Sequence, residues 1–168
     1  LACLTNGLLS EGAAGKTSQQ IAEDFESVGA QIEYDALRDM AVVGVRSLTE
    51  SRFLSPAITS LKQVLTQPDF PEEAYQRELN RMKLAVKARL QSPAAIAGEA
   101  FNKAVFGEHP YAFPVSGTKE SLDEMTLQAV REFYKQYYVA NNATIAIVGN
   151  VQRQQAEAGD VELGNQER

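Results

Sequence analysis

The sequence predicts an α+β domain in which helices pack on a mixed or antiparallel sheet. Apolar residues recur at helical spacing in six segments, and they alternate or run together in three others. These segments follow one another in the order α-α-β-β-α-α-α-α-β. The chain has 168 residues, of which 44% are hydrophobic, and this is enough for one domain with a sizeable core.

The first two helices are predicted from an apolar stripe and a capping signal. The stripe of the first helix has i, i+3, i+7, i+8 spacing and consists of Leu1, Leu4, Leu8 and Leu9. We expect Gly12 to end this helix in the left-handed conformation. Thr17 and Gln20 have the spacing of a capping box for the second helix, which we expect to end at Gly29.

Three strands are predicted. Residues 31–37 alternate apolar and polar side chains, which indicates a strand with one solvated face. Residues 40–48 are almost continuously apolar, which favours a central strand covered on both faces. Arg38 and Asp39 stand between these two strands, so we expect a hairpin. Residues 143–149 predict a further buried strand near the end of the chain.

The remaining helices begin at recognisable start signals. Ser55 and Pro56 predict an N-cap followed by proline at the first helical position. Pro71 opens a longer helix to about residue 91, and Ser92 with Pro93 repeats the start signal. The domain is expected to span residues 1–151, and residues 152–168 read as a polar tail or truncated linker.

Composition excludes several functions. The net charge of −6 and the pI near 4.9 disfavour nucleic-acid binding, which depends on Lys and Arg neutralising phosphates. Cys3 is the only cysteine, so the chain forms no internal disulfide and no cysteine-based zinc cage. No apolar run approaches the roughly 20 residues of a membrane-spanning helix.

No set of residues in the sequence predicts a catalytic centre by itself. Cys3 lies beside the apolar stripe of its helix and is expected to be a small core residue. His109, the only histidine, precedes Pro110 and is expected to hydrogen-bond backbone. Residues 15–17 (Gly-Lys-Thr) match the end of a phosphate-binding loop. However, Ser10 replaces the first glycine of that pattern, and the segment before it is helical rather than a strand.

Four stretches, taken in order, carry a resemblance to a known family. The first is Leu1-Ala2-x6-Leu9-x2-Gly12 with the helix that ends at residues 25–30. The second is the hairpin with Asp39 between its strands. The third and fourth are Phe106-Gly107-x-His109-Pro110-Tyr111 with Gly117-Thr118, and Phe133-Tyr134-x2-Tyr137-Tyr138-x3-Asn142-Ala143 leading into Ile147-Val148-Gly149-Asn150. Together they resemble the N-terminal type of domain in the insulinase/pitrilysin (M16) zinc peptidases, with the LuxS/M16 metallohydrolase-like fold.

The chain departs from that family at the residues that do chemistry. Family peptidases carry His-x-x-Glu-His on the helix that aligns with residues 1–12, where two His hold zinc and the Glu polarises water. The corresponding residues here are Cys3, Asn6 and Gly7, and the third ligand position falls at about Ala85. The family's substrate-anchoring strand typically reads Asn-Ala-x-Thr and aligns here with Glu33-Tyr34-Asp35-Ala36, so that pattern is also absent. The resemblance therefore implies no catalytic residues and no metal ligands, and it leaves the substrate-binding residues unknown.

The resemblance implies a non-catalytic peptidase-like domain that lacks the first strands of its fold. Such a domain is expected to pair with an active zinc-peptidase homologue, or with a second homologous domain, to enclose and bind a peptide. No cofactor is expected, although active members use zinc. An exposed sheet edge offers a route to a homodimer, and the resemblance points to the bacterial periplasm. Two alternatives stay open: an adaptor or assembly subunit unrelated to proteolysis, and a metallopeptidase with a non-standard metal site.

Overall fold

The computed structural model describes residues 1–154, 156 and 157, and over these residues the predicted α+β fold is confirmed. The helices are α1 (Ala2–Leu8), α2 (Ser18–Glu26), α3 (Ser51–Thr66), α4 (Glu72–Arg89), α5 (Pro93–Phe106), α6 (Lys119–Asp123) and α7 (Leu127–Tyr137). The strands are β1 (Gly12–Ala13), β2 (Lys16–Thr17), β3 (Gln31–Ala36) and β4 (Ala41–Arg46). They form two antiparallel pairs, β1 with β2 and β3 with β4.

The core is built around α1. This short helix packs against both strands of the β3–β4 hairpin and against α4 and α7. Its predicted apolar stripe is confirmed at three of four positions, since Leu4, Leu8 and Leu9 are buried while Leu1 is exposed. Buried residues from the other elements complete this core: Ile21, Phe25, Leu61, Val64, Tyr75, Leu79, Val86, Leu122 and Val130.

The prediction that Gly12 ends α1 in the left-handed conformation is wrong. Helix α1 already ends at Leu8, and Gly12 lies in β1. A Cβ atom on Gly12 would lie 2.8 Å from Cγ of Pro71, so glycine is needed there for close packing. Within this segment the residues with left-handed φ are Ala14 and Gly15, at 53° and 75°. They form the tight turn between β1 and β2.

Three predicted helix starts are confirmed, including Pro71 as the N-cap of α4, and one is wrong. Thr17 and Gln20 form the expected capping box at α2, and the Ser92 hydroxyl accepts from a backbone N–H in the first turn of α5. Ser55 is not an N-cap, because α3 begins four residues earlier, and Pro56 lies inside the helix. Pro56 is exposed in the second turn of α3.

The expected β3–β4 hairpin is present, but it has less cover than the sequence predicts. Ile32 faces Val45 and Tyr34 faces Val43 across the pair, and these half-buried side chains pack on the core. The prediction of a central strand covered on both faces is wrong for β4. In the described part of the chain β4 pairs only with β3, and Val42 is exposed on its outer face. The apolar run shows that the strand needs cover, but the described residues supply it on one face only.

The prediction of a buried strand at residues 143–149 is also wrong. The segment follows a 3-10 turn at Ala140–Asn142 and forms no strand. Ile145 and Ile147 are exposed, and Val148 is 96% exposed. Its composition suits a strand, but within the residues that are described no neighbouring strand pairs with it. Most of the expected tail, residues 155 and 158–168, lies outside the described residues.

Candidate functional site

The candidate site is the face of α1 that carries Cys3, Asn6 and Gly7. Residues three and four apart lie on one face of a helix, so the three side-chain positions are neighbours. The hairpin and α7 both pack against α1. Tyr138, which follows α7, also lies over this face. Its half-buried ring packs against the core, and its hydroxyl donates to Asn6 on α1. Residues from the start, middle and end of the chain therefore meet at this helix.

Asn6 is the centre of this face, and its side chain is fully engaged. It is 1% exposed. Its Nδ2 donates to the backbone oxygens of Asp35 at 2.8 Å and Val42 at 3.1 Å. These two residues face each other across the hairpin, so the amide bridges both strands. Its Oδ1 accepts from the Tyr138 hydroxyl at 3.1 Å. Asn6 thus ties α1 to the hairpin and to the end of α7.

Burial shapes the electrostatics beside Asn6. It raises the pKa of Tyr138 to about 12, and the nearby Cys3 thiolate adds to this rise. Burial likewise raises the pKa of Tyr34, on the face of β3 that packs on the core, to about 12. Both phenols stay protonated at neutral pH, so the Tyr138 hydroxyl acts as a hydrogen-bond donor to Asn6.

The positions that the resemblance assigns to metal ligands do not fit a zinc ion. Cys3 is half-buried, Gly7 has no side chain, and a Cβ built on Gly7 meets nothing within 4 Å. Ala85 is exposed on α4, and its methyl group is no ligand. Zinc binding in peptidases takes three protein ligands of the His, Cys or carboxylate type. Among the residues that the structure describes, no group of three His, Cys, Asp or Glu residues is placed to hold a metal ion.

The carboxylates nearest to these positions along the chain are already paired. Glu78, a buried residue on α4, forms an ion pair with Arg81 at 2.6 Å. Glu11, just after α1, pairs with Arg77. Each carboxylate therefore neutralises an arginine on α4, and neither is a free ligand beside Gly7.

The Gly-Lys-Thr segment is a structural turn in this fold. The N–H of Gly15 donates to the Asp69 carboxylate at 3.0 Å. Lys16 Nζ contacts Asp24 at 2.7 Å and Gln63 at 2.9 Å. The groups that hold phosphate in a nucleotide-binding loop are the backbone N–H groups and the lysine. Here both are bonded to protein side chains instead.

The strand that aligns with the substrate-anchoring strand is β3. Gln31, Glu33 and Asp35 point away from the core, while Ile32 and Tyr34 are half-buried. Within the described chain β3 pairs only with β4, so its other edge carries backbone groups without a strand partner. The Asp35 carboxylate accepts from the N–H of Ala36 at 2.8 Å, which occupies one backbone donor near the end of this edge.

The loop around His109 joins the hairpin turn to α5. His109 Nδ1 accepts from the N–H of Tyr111 at 3.2 Å, which confirms the expectation that this histidine bonds backbone. The Tyr111 hydroxyl donates to Asp39 at 2.6 Å, and this bond raises the pKa of Tyr111. Arg38 donates to the Tyr111 carbonyl at 2.7 Å, while the ring of Phe106 packs edge-on against Tyr111. The hairpin turn and the His-Pro-Tyr loop thus form one unit.

Two contacts escape sequence reasoning. The Asn6–Tyr138 bond joins residues 132 apart, and the Asp39–Tyr111 bond joins residues 72 apart. In each case a polar residue sits in an otherwise apolar or turn-forming segment. That is the one available signal, because a buried polar group needs a hydrogen-bond partner. The sequence does not say which tyrosine supplies it.

Helices packed on an antiparallel hairpin, with α1 enclosed at the first motif, define an α+β domain of the fold that the sequence resemblance predicts. The chain belongs to the insulinase family, peptidase family M16. The family model described as insulinase (peptidase family M16) matches residues 1–119. A second model, described as the peptidase M16 inactive domain, matches residues 124–158.

Individual relatives agree with this assignment. The crystal structure of a peptidase M16 inactive domain from Pseudomonas fluorescens is 34% identical, with a TM-score of 0.91, over 96% of this chain and 39% of that chain. The uncharacterized zinc protease YmxG of Bacillus subtilis is 24% identical over 84% of this chain and 34% of that protein. The non-peptidase homolog YmxG of Helicobacter pylori is 23% identical over 90% of this chain and 34% of that protein. The chain thus spans about a third of the length of these curated relatives.

Proposed function

We propose that this domain is a non-catalytic member of its peptidase family. It pairs with an active homologue, or with a second homologous domain, and helps to enclose and bind a peptide. The observation that carries the proposal is the state of Asn6, at the position aligned with the family's catalytic Glu. Its amide is buried and bonded to three partners, so it serves as a structural tie.

The chemistry of these residue types supports the proposal. A general base must accept a proton, and an amide does not do so at neutral pH. A zinc ligand needs a donor atom, which Gly7 and Ala85 lack. Zinc chemistry at this helix face would require several coordinated substitutions, because Asn6 is already bonded to the hairpin.

The fold offers a way to bind peptide without catalytic side chains. An extended peptide can add as a strand to a free sheet edge, where main-chain hydrogen bonds supply the affinity. The outer edge of β3 is such an edge, and it aligns with the strand that anchors substrate in family peptidases. The same kind of edge also supports the proposal of a homodimer formed by strand pairing. The matched region covers only about a third of the length of these relatives, and this supports a second homologous unit as partner.

An adaptor or assembly role unrelated to proteolysis is the second candidate. The apolar surfaces of β4 and α5, which remain exposed, favour it because a docking protein needs such surfaces. Peptide binding separates the two functions. An adaptor binds its partner without affinity for an unstructured peptide, whereas a peptide-enclosing domain binds both.

Introducing the family's metal-binding residues tests both the alignment and the proposal that this domain is non-catalytic. The variant with Cys3→His, Asn6→Glu, Gly7→His and Ala85→Glu should bind about one zinc per chain by elemental analysis, whereas the natural chain binds none. The matched control carries the first three changes and keeps Ala85, and it should bind zinc more weakly. Stoichiometric zinc on the natural chain through its own side chains would contradict the proposal.

Peptide binding is measured separately by two-dimensional NMR with a library of unstructured 15-residue peptides. We expect amide shifts to concentrate on β3, residues 31–36, with little change in α5. No binding at millimolar peptide would favour the adaptor role. Pull-down from the native source then tests pairing, and the proposal predicts a co-purifying homologue with an intact His-x-x-Glu-His motif.

A further inference from the structure

The outer edge of β3 has a definite hydrogen-bonding pattern, because residues of an antiparallel pair alternate between bonded and non-bonded positions. Leu37 and Met40 follow the last pair of the β3–β4 register, and the N–H of Leu37 donates to the Met40 oxygen at 2.8 Å. The bonded positions of β3 are therefore the odd-numbered ones. The even-numbered residues point their N–H and C=O groups away from β4, toward the outer edge: Ile32, Tyr34 and Ala36.

The contact of Asn6 with the hairpin agrees with this alternation. Its Nδ2 donates to the backbone oxygens of both Asp35 and Val42, which face each other across the pair. In a bonded pair the two carbonyl oxygens lie between the strands, whereas in a non-bonded pair they point to opposite edges. One nitrogen reaches both oxygens only when they lie between the strands, so Asp35 and Val42 form a bonded pair.

Both ends of the outer edge are closed. Before β3, the N–H of Ala30 donates to a backbone oxygen of α2 at 2.9 Å. At the other end, the N–H of Ala36 donates to Oδ1 of Asp35 at 2.8 Å. Among the described residues, no group accepts from the N–H of Ile32 or of Tyr34. Between its closed ends the edge therefore offers two free backbone donors.

The Asp35 carboxylate obstructs an added strand in addition to using a donor. An added strand places its own carbonyl oxygen where an edge N–H can donate to it. Oδ1 of Asp35 already occupies that place beside Ala36, and a carboxylate oxygen repels a carbonyl oxygen. Charged side chains on edge strands are a common means of limiting strand pairing. Asp35 therefore marks the point at which pairing along this edge must stop.

We propose that Asp35 determines the length and register of the peptide segment that binds at the outer edge of β3. This inference rests on the proposed function, because it requires a peptide at that edge. An antiparallel strand, the more stable pairing per residue, exchanges hydrogen bonds with Ile32 and Tyr34 through two of its residues that are two apart. The paired segment is therefore an extended stretch of about three residues, and it ends where Asp35 covers the next donor.

Two substitutions at Asp35 separate its hydrogen bond from its charge. Asp35→Ala removes the acceptor and frees the N–H of Ala36. Asp35→Asn is the matched control, because it removes the charge and keeps a side-chain oxygen that can accept the same bond. Both variants should fold normally, since the side chain is exposed and Asn6 bonds to the backbone oxygen of residue 35.

Hydrogen exchange of the free chain, measured by NMR, tests the contact without any peptide. Relative to the rates of an unstructured chain, we expect the Ala36 amide to exchange about ten-fold more slowly than those of Ile32 and Tyr34. Asp35→Ala should remove this protection, and Asp35→Asn should keep most of it. An Ala36 amide that is unprotected in the natural chain, or equally protected in Asp35→Ala, would overturn the proposal.

NMR titration with capped peptides of alternating threonine and valine tests the effect on binding. A three-residue peptide should bind the natural chain and both variants equally, because it needs only Ile32 and Tyr34. A five-residue peptide should bind the natural chain and Asp35→Asn about as tightly as the shorter one. It should bind Asp35→Ala about five-fold more tightly, which corresponds to one further main-chain hydrogen bond, and the Ala36 amide should then become protected.

The failure of this inference is distinguishable from the failure of the proposed function. Equal affinity of the five-residue peptide for the natural chain and for Asp35→Ala would overturn the role of Asp35 and leave peptide binding at β3 intact. Tighter binding to Asp35→Asn as well would show that charge rather than the hydrogen bond limits the segment, which also contradicts the proposal. If neither peptide binds any of the three chains, the proposed peptide binding is wrong and this inference falls with it.

Discussion

Helices α1 and α5 are both rich in apolar residues, yet their surroundings are opposite. α1 is enclosed by the hairpin, α4 and α7, and Leu8 and Leu9 are completely buried. α5 has no buried residue. Apolar composition therefore indicates that a helix needs burial, but it does not indicate which elements bury it. For α1 the chain supplies it, and for α5 the described residues do not.

The polar residues of the two helices show the same contrast. In α1, Asn6 is buried and its amide satisfies three partners in the core. In α5, Glu99 turns inward to Arg89 and leaves apolar residues facing outward. A polar group inside α1 fixes which elements surround it, because an unsatisfied buried amide is costly. The outward apolar residues of α5 do not determine which element packs against them within the described chain.

The largest expected effect comes from truncating one apolar side chain on each helix. Leu8→Ala should lower the free energy of unfolding by about 3–4 kcal/mol, because it removes buried contacts and leaves a cavity. Val105→Ala should change it by less than about 0.5 kcal/mol, because the side chain is mostly exposed and alanine favours helix. Urea denaturation measures both values. Equal losses would mean that α5 is covered in the monomer.

The second largest loss of stability is expected at Asn6, whose side chain links α1 to the hairpin and to Tyr138. Asn6→Ala should lower the free energy of unfolding by about 2–3 kcal/mol, because the buried Tyr138 hydroxyl loses its acceptor and the hairpin loses its link to α1. Asn142→Ala is the matched control. That exposed side chain makes one bond, to the Tyr137 carbonyl at 2.9 Å, and we expect a loss below about 1 kcal/mol. Similar losses for the two asparagines would show that Asn6 does not organise the core.

Much of the fold was accessible from sequence because local patterns determine local structure. The stripe of Leu4, Leu8 and Leu9, the Thr17 capping box and the β3–β4 hairpin depend on residues close along the chain. The errors at residues 40–48 and 143–149 share one cause. An apolar run predicts burial, but burial of a strand depends on partner strands, and partners are set by distant parts of a chain.

The candidate site likewise has one part that the sequence predicts and one part that it does not. Placing Cys3, Asn6 and Gly7 on one helix face follows from helical spacing and from the family resemblance. The Asn6 contacts with the hairpin and with Tyr138 do not, because they depend on how three separate elements meet. The sequence does not predict the unpartnered face of α5 either. Its sequence pattern gives an apolar helix, and only the Glu99–Arg89 ion pair shows which side of it turns inward.

The free energy of unfolding should depend on pH through the tyrosines beside the α1 site. Burial holds the pKa of Tyr138 at about 12 in the folded chain, against 10 for an unperturbed tyrosine. The protonated phenol therefore favours folding below pH 10, and this contribution is lost as the pH rises from about 10 to about 12. Allowing for partial solvent screening, the loss is roughly 1–2 kcal/mol. Tyr34 titrates over the same range, so the two losses add.

Denaturation curves at pH 9 and pH 11.5 measure this loss. Tyr138→Phe removes one ionisable phenol, so its free energy of unfolding should fall less steeply with pH than that of the natural chain. Cys3→Ser should reduce the slope by a smaller amount, because the Cys3 charge is secondary to burial. An unchanged slope in Tyr138→Phe would contradict the burial of this hydroxyl against Asn6.

The smallest expected effect compares two glycines. Gly98→Ala should raise the free energy of unfolding of the monomer by about 0.5–1 kcal/mol, because alanine favours helix and a Cβ atom there meets nothing. Gly12→Ala should lower it, because the added Cβ lies 2.8 Å from Cγ of Pro71. Urea denaturation measures both changes, and a loss of stability in Gly98→Ala would contradict the open space beside this residue.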